Sequence, residues 1–468
     1  MNSKTIKNII YLFLSNVLTQ IFTAVSLILV ARYIGSHDFG MISVAVSYAI
    51  IAANFSDLGL THTLIREGTK ENANISLLMN SFFKIKIIFA IVVSILISLI
   101  FVLFYDEVSF KQVLFILVIP TIFGVTIQNV GASYFQVIQK MGYMALIRGV
   151  SAIITAVSLF VCYVYKVPVL TLAGVYGVST IVGGVFSLYL TFNQQKLQKG
   201  WDFSIFKGLS WFTASGLIAT ILPQLGPIFL ERVTSLQQVG VFSAVYRIPS
   251  SLYRIPGVVA GAFYPLLFSL GNKGLIEEHF KTSVQQTKIM SFLAIVSLIP
   301  FLFYPTWWLG ILYGNEWAEA SNTLVLLSFM VLLQALNIVL ADSITTLGMQ
   351  KYRTLAYFIA GSIGLIAYYL LGSKYGSFGG GVAAIIVEST LMTVLIIYNP
   401  YSFKLLKKGL LTNILGLLLL IPIYWINSMY LEFNPITSMI LLLLVFILYV
   451  GLVDNYIRSL VINKLKRA

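Results

Sequence analysis

Residues 239–270 read VGVFSAVYRIPSSLYRIPGVVAGAFYPLLFSL. Apart from two arginines the stretch carries no charge, and it exceeds the ~20 apolar residues that cross a bilayer. A guanidinium at mid-bilayer costs about 2.5–3.5 kcal/mol on translocon scales. Arg247 and Arg254 lie seven residues apart, so on one continuous helix they project from the same face. That cost is tolerable where the face lines a wet or anion-holding cavity. The stretch therefore predicts a membrane helix with a functional seam.

The flanking sequence is of the same kind. The 468 residues are 59% hydrophobic and 10% charged, against roughly 45–50% and about 25% in soluble domains. Fourteen stretches are apolar enough to span: 9–33, 39–64, 80–104, 112–137, 144–165, 169–192, 209–230, 239–270, 287–312, 321–347, 352–371, 376–398, 410–429 and 436–461. The expected fold is an all-α polytopic membrane protein with about 14 transmembrane helices. Connecting loops are too short to hold a soluble catalytic domain, and residues 193–208 form the natural hinge between halves.

The net charge of +14 is no nucleic-acid footprint. With a cytoplasmic N-terminus, 23 of the 30 Lys and Arg fall on the inner side, helix-end residues such as Lys84 and Lys86 included, and five on the outer side. The positive-inside rule demands this asymmetry, and both termini are then cytoplasmic. The two cations left over are Arg247 and Arg254. The single cysteine, Cys162, lies in an apolar span and reads as an inert buried thiol. The first apolar stretch is too long for a signal-peptide core and reads as a retained helix.

Shifting the chain by 200 residues aligns Ser15 with Ser215, Ile21 with Ile221, Ile28 with Ile228, Arg32 with Arg232, Gly40 with Gly240 and Ser43 with Ser243. Each copy runs span, short outer loop, span, so a parallel repeat is expected, with lobes at 1–200 and 201–400 and two additional helices at 401–468. Helical steps of three and four set polar residues on matching faces. Asn16 and Gln20 stand in the first span, Ser47, Asn54 and Asp57 in the second, Gln224 in the seventh, and Ser250 with the two arginines in the eighth. A central cavity between two lobes accounts for these seams. Pro223, Pro227, Pro249, Pro256 and Pro265 interrupt the seventh and eighth spans, as bendable helices or as static kinks.

Arginine's planar fork suits phosphate oxygens, so Arg247 and Arg254 point to an anionic substrate, the alternative being structural pairing with membrane acids. Asp342 and Glu388 are candidates for ion coupling or charge pairing. Asp57 is another, with capping or loop contacts as its ordinary use. Arg32 and Arg232, at equivalent outer span ends, are candidates for an outer gate or for simple snorkelling. The three histidines form no metal set, and no phosphate-binding loop follows Gly379–Gly381. No cofactor is expected.

The segment ARYIGSHDFGMISVAVSY (31–48), followed by FSDLGLTHTLIRE (55–67), resembles the opening of bacterial polysaccharide transporters. These are the O-antigen or capsule repeat-unit flippases of the multidrug/oligosaccharidyl-lipid/polysaccharide superfamily. ERVTSLQQVGVFSAVYRIPSSLYRIPGVVAGAFYPLL (231–267) resembles that family's seventh and eighth spans. The resemblance implies two six-helix lobes in a V, as in MATE transporters, around a cationic cavity. It also implies an undecaprenyl-pyrophosphate-linked oligosaccharide as substrate, in the bacterial inner membrane. Membrane lipids, a glycan polymerase and a chain-length regulator would be its partners, with no nucleic acid among them. Competing readings are a peptidoglycan-precursor flippase, a drug or cation antiporter, and, from another class, a membrane glycan polymerase or ligase.

Overall fold

The computed structural model describes residues 3–70, 72–194, 197–206, 218, 220–431 and 433–459, and side chains from Phe22 onward within these. Among them the chain is helical, with no strand. The helices are α1 (Ser3–Phe55), α2 (Leu60–Gly68), α3 (Ile75–Phe104), α4 (Val108–Val137), α5 (Met141–Tyr165), α6 (Val169–Gln194), α7 (Leu225–Val233), α8 (Leu236–Leu252), α9 (Arg254–Asn272), α10 (Ile276–Phe303), α11 (Pro305–Leu312), α12 (Ser321–Thr346), α13 (Gln350–Tyr398), α14 (Ser402–Ile426) and α15 (Pro435–Val453).

Among the described residues, eleven helical stretches are long and apolar enough to cross a membrane. Two of them, of 47 and 49 residues, far exceed what one crossing needs. The first, Phe22–Gly68, is kinked at Gly35 (φ 79°) and turns again between α1 and α2, and the second is kinked at Gly376 (φ 56°), where positive φ breaks the hydrogen-bond ladder. Ile88, Ile91, Ile95, Leu99 and Val102 stand exposed along α3 at three- and four-residue steps. An apolar stripe of that length on a helix surface is a lipid-facing one. Cys162 is buried and unpaired.

The chain divides into two compact units, residues 1–244 and 245–468, so the division falls inside α8. In the first unit a core of Leu60, Leu78, Phe82, Ile85, Phe135 and Ile147 packs α2 to α5 together. Ile205 completes that core and is fully buried. Over its described part the expected hinge at 193–208 is tied to α3. Ser76 Oγ accepts from the Gln198 amide at 2.7 Å, Asn80 Nδ2 donates to the Gly200 carbonyl at 3.1 Å, and Ser81 Oγ accepts from the Asp202 amide at 2.6 Å. Polar groups of the first turns of α3 hold the strand-like segment down, and its backbone has few groups left for water.

The repeat is visible in the packing of this unit. A Cβ at Gly40 would lie 2.0 Å from the Leu236 carbonyl oxygen, and one at Gly240 would lie 1.7 Å from that of Ser36. All four positions obey the same shift of 200. The part of α1 beyond Gly35 and the start of α8 thus cross backbone against backbone, an approach open only to glycine.

The second unit is organised around α10, whose Met290, Ala294, Ile295, Leu298 and Ile299 are fully buried. Two polar clamps tie α14 and α15 to it. At one end Lys288 Nζ meets Asp454 Oδ2 at 2.6 Å, and Asn413 Nδ2 donates to Ser291 Oγ at 2.7 Å. At the other, Asn427 Nδ2 donates to Ser438 Oγ at 2.8 Å and to Tyr304 Oη at 3.2 Å. The two additional helices are fastened to α10 at both ends.

Candidate functional site

The eighth span expected over 239–270 lies within one apolar helical stretch, Leu236–Asn272, that its prolines weaken at Tyr253. Pro256 has no amide hydrogen to offer the Leu252 carbonyl, and Pro249 has none for Val245. The ladder is weakened there without being interrupted: Tyr253 keeps helical backbone angles, donates its amide to the Pro249 carbonyl at 3.0 Å and accepts from the Gly257 amide at 3.2 Å. Ser250 and Ser251 turn their hydroxyls back onto the Arg247 carbonyl at 3.0 and 2.8 Å. Such back-bonding bends a helix further. Ser250 is thus used by its own helix, and the two arginines stand on either side of a proline-weakened turn of one span.

Their surroundings differ. Arg247 is half-buried and lies close enough to the buried Tyr313 to act on its hydroxyl electrostatically. Burial pushes that hydroxyl well above the usual tyrosine range, and the Arg247 charge pulls it back. Arg254 is exposed, with its guanidinium 5.9 Å from the Tyr253 ring centre, and makes no ion pair among the described residues.

The acids of this unit are held by amides. Glu388 is buried; its Oε1 accepts from Gln334 Nε2 and its Oε2 from Asn337 Nδ2, both at 2.8 Å. Tyr246 and Tyr368 lie within electrostatic reach of it. Asp342 Oδ2 accepts from Gln286 Nε2 at 3.1 Å. Neither carboxylate has a cation at ion-pair distance among the described residues. Asp342 lies on α12 and Glu388 on α13, and Arg353 acts electrostatically on Asp342.

In the first unit Ser47 is buried, and Asn54 spends its Nδ2 on the Ile50 carbonyl at 2.8 Å. Gln224 ends a short 3-10 turn and is half-buried. The side chains of Asn16 and Gln20 lie outside those described. Asp57 is fixed in the turn after α1, where Thr61 Oγ1 donates to Oδ1 at 2.6 Å and Lys86 Nζ makes an ion pair with the same oxygen. Lys86, counted as a residue just inside a span end, has no exposed surface. The signal was in the spacing: Lys84 and Lys86 are two residues apart, roughly 200° around the helix, and cannot both snorkel.

Arg32 is exposed. Its repeat partner Arg232 is anchored: Nη1 donates to the Phe104 carbonyl at 2.9 Å, Nε meets Glu231 Oε2 at 3.2 Å, and the guanidinium lies 4.2 Å from the Tyr105 ring centre. Tyr105 Oη donates to Glu231 Oε2 at 3.1 Å and approaches Tyr48 Oη at 2.9 Å. Burial holds the Tyr105 hydroxyl protonated far above its usual range, so it remains a donor. Sequence reasoning missed Glu231, Tyr105 and Tyr48, because nothing local connects three residues so far apart in the chain.

The model of one family, described as polysaccharide biosynthesis protein, matches residues 5–270. The chain belongs to that family. No curated protein matches the sequence. Among solved structures, the lipid II flippase MurJ in an inward closed conformation is similar at a TM-score of 0.73 and 17% identity, covering 96% of this chain and 99% of that one. An inward-facing multidrug resistance MATE family transporter of the MOP superfamily follows at 0.68 and 14%, with coverages of 83% and 95%. The eukaryotic MATE transporter AtDTX14 aligns at 0.56 and 18%, covering 87% and 98%. The polysaccharide biosynthesis protein described here therefore has the fold shared by MurJ and the MATE transporters.

Proposed function

We propose that this family member is a flippase, not an enzyme, that moves an undecaprenyl-pyrophosphate-linked oligosaccharide of O-antigen or capsule type from the cytoplasmic to the outer leaflet of the bacterial inner membrane. The observation that carries the reading is the pair of arginines around the weakened turn at Tyr253. One is held half-buried at mid-span and the other is exposed with no ion pair among the described residues, and the planar fork of each suits pyrophosphate oxygens. Ser47, Asn54, Gln224 and Ser250, with Asn16 and Gln20, would meet sugar hydroxyls. Glu388 and Asp342 would couple transport to an ion gradient, with Asp57 held in its pair with Lys86. A glycan polymerase and a chain-length regulator would receive the product.

The test replaces Arg254 by Ala and then by Lys in cells lacking their own flippase. Export is expected to fall at least tenfold in Arg254→Ala and to recover in part in Arg254→Lys, since Lys keeps the charge and loses the fork. Wild-type export by both variants at normal expression would sink the pyrophosphate role.

A second reading, a peptidoglycan-precursor flippase, is favoured by the likeness to the lipid II flippase over 96% of the chain. Substrate competition in vesicles separates the two. A drug or cation antiporter draws on the MATE likeness, but a cation cavity is served by acids, and here two arginines occupy the mid-span seam.

A further inference from the structure

We propose that Gly40, Gly240, Ser43 and Ser243 form the outer gate, a crossing built to be both sealed and easily parted. The proposal deepens the flippase reading and takes from it which side is outside.

The seal is the glycine crossing. A Cβ built on Gly40 points at the Leu236 carbonyl oxygen and one built on Gly240 points at the Ser36 carbonyl oxygen, at 2.0 and 1.7 Å. In the native chain those directions carry Cα hydrogens, so each glycine offers a Cα–H to the other helix's carbonyl, reciprocally about one local axis. The neighbours Phe39, Val239, Ile42 and Phe242 are fully buried around it. No side chain larger than hydrogen fits, and the carbonyls it would strike belong to helix backbones and cannot swing aside.

The counterweight lies one turn deeper. Ser43 and Ser243 are 2% and 4% exposed, and neither hydroxyl oxygen has a hydrogen-bond partner among the described residues. Buried serines such as Ser56, Ser283 and Ser291 bond to a carbonyl four residues back, whereas Ser94, Thr126 and Ser151 share the orphaned state; of these unpartnered hydroxyls only Ser43 and Ser243 are related by the shift of 200. Such a group is costly in the closed state and is satisfied by water as soon as the crossing opens. Close glycine packing favours closure, the two serines favour opening, and the balance leaves both states accessible.

Opposite substitutions therefore move the gate in opposite directions. The reporter is Val44→Cys, one turn from Gly40 and fully buried, in a Cys162→Ala background that removes the only native cysteine. Its reaction with a membrane-impermeant maleimide is followed on intact cells. Gly40→Ala and, independently, Gly240→Ala are expected to raise the labelling rate roughly tenfold, because a Cβ cannot be housed in the closed crossing. The double variant Ser43→Ala, Ser243→Ala removes the orphaned hydroxyls and keeps the fold; it is expected to lower the rate roughly tenfold. Unchanged or slower labelling in a folded Gly→Ala variant, or unchanged or faster labelling in the double serine variant, overturns the gate. Glycan export is read in parallel in the parent reporter strain. Rates that shift as expected in a parent that exports no glycan uphold the gate and sink the flippase reading. Normal export with rates that do not move sinks the gate alone.

Discussion

Lys86 carries a charge with no exposed surface, and its one ion-pair partner, Asp57, sits in the turn where α1 ends. Two residues with left-handed backbone, Leu58 (φ 41°) and Gly59 (φ 81°), follow Asp57 directly, so the pair pins a strained turn to the body of α3. Removing one partner leaves the other unbalanced, which at buried sites costs about 3–5 kcal/mol; the partial exposure of Asp57 brings this toward the lower end. Lys86→Met should therefore lower the melting temperature in detergent, and adding Asp57→Asn should recover most of the loss. A double variant no more stable than Lys86→Met would show that the pair is not the reason. Arg247 and Arg254 could be picked out from sequence because a charge amid apolar residues is conspicuous. Glu388's amide partners, and the Glu231–Tyr105–Tyr48 cluster, could not, since each is assembled by helices that are distant in the chain.

At the scale of elements, the weakened turn at Tyr253 shows how two prolines loosen a helix without changing its hydropathy. Pro256→Ala returns a donor to the Leu252 carbonyl and strengthens the ladder from α8 into α9. Thermal stability should rise by about 1–3 kcal/mol, while export falls if the bend is needed for movement. The check is unfolding in detergent alongside a glycan-export assay. Export that rises with stability would make the weakened turn a static kink. The prolines were plain in the sequence, but the turning of the Ser250 and Ser251 hydroxyls onto the Arg247 carbonyl was not. The docked segment 197–206 is the opposite case. Its composition reads as a linker, and only the side chains of α3 reveal that it is held.

For the whole molecule, the lysine and arginine asymmetry sets the expected orientation. Lys166, in the loop before α6, and Lys407, at the start of α14, are both exposed. In a cysteine-free background, Lys166→Cys should react with impermeant maleimide on intact cells, and Lys407→Cys only after permeabilisation. The reverse pattern would invert the topology and the direction of transport with it. Span number, all-helical class and charge asymmetry were determined by the sequence alone, because a bilayer demands about 20 apolar residues per crossing and continuous backbone hydrogen bonding, and both are local properties. The repeat was also there, as matching letters 200 residues apart. Only the tertiary structure decided that Gly40 and Gly240 touch, that Lys86 is buried on Asp57, and that Glu388 is held by two amides. Helix packing is a matter of which faces meet, and faces from distant parts of the chain carry no mark of their partners in a single sequence.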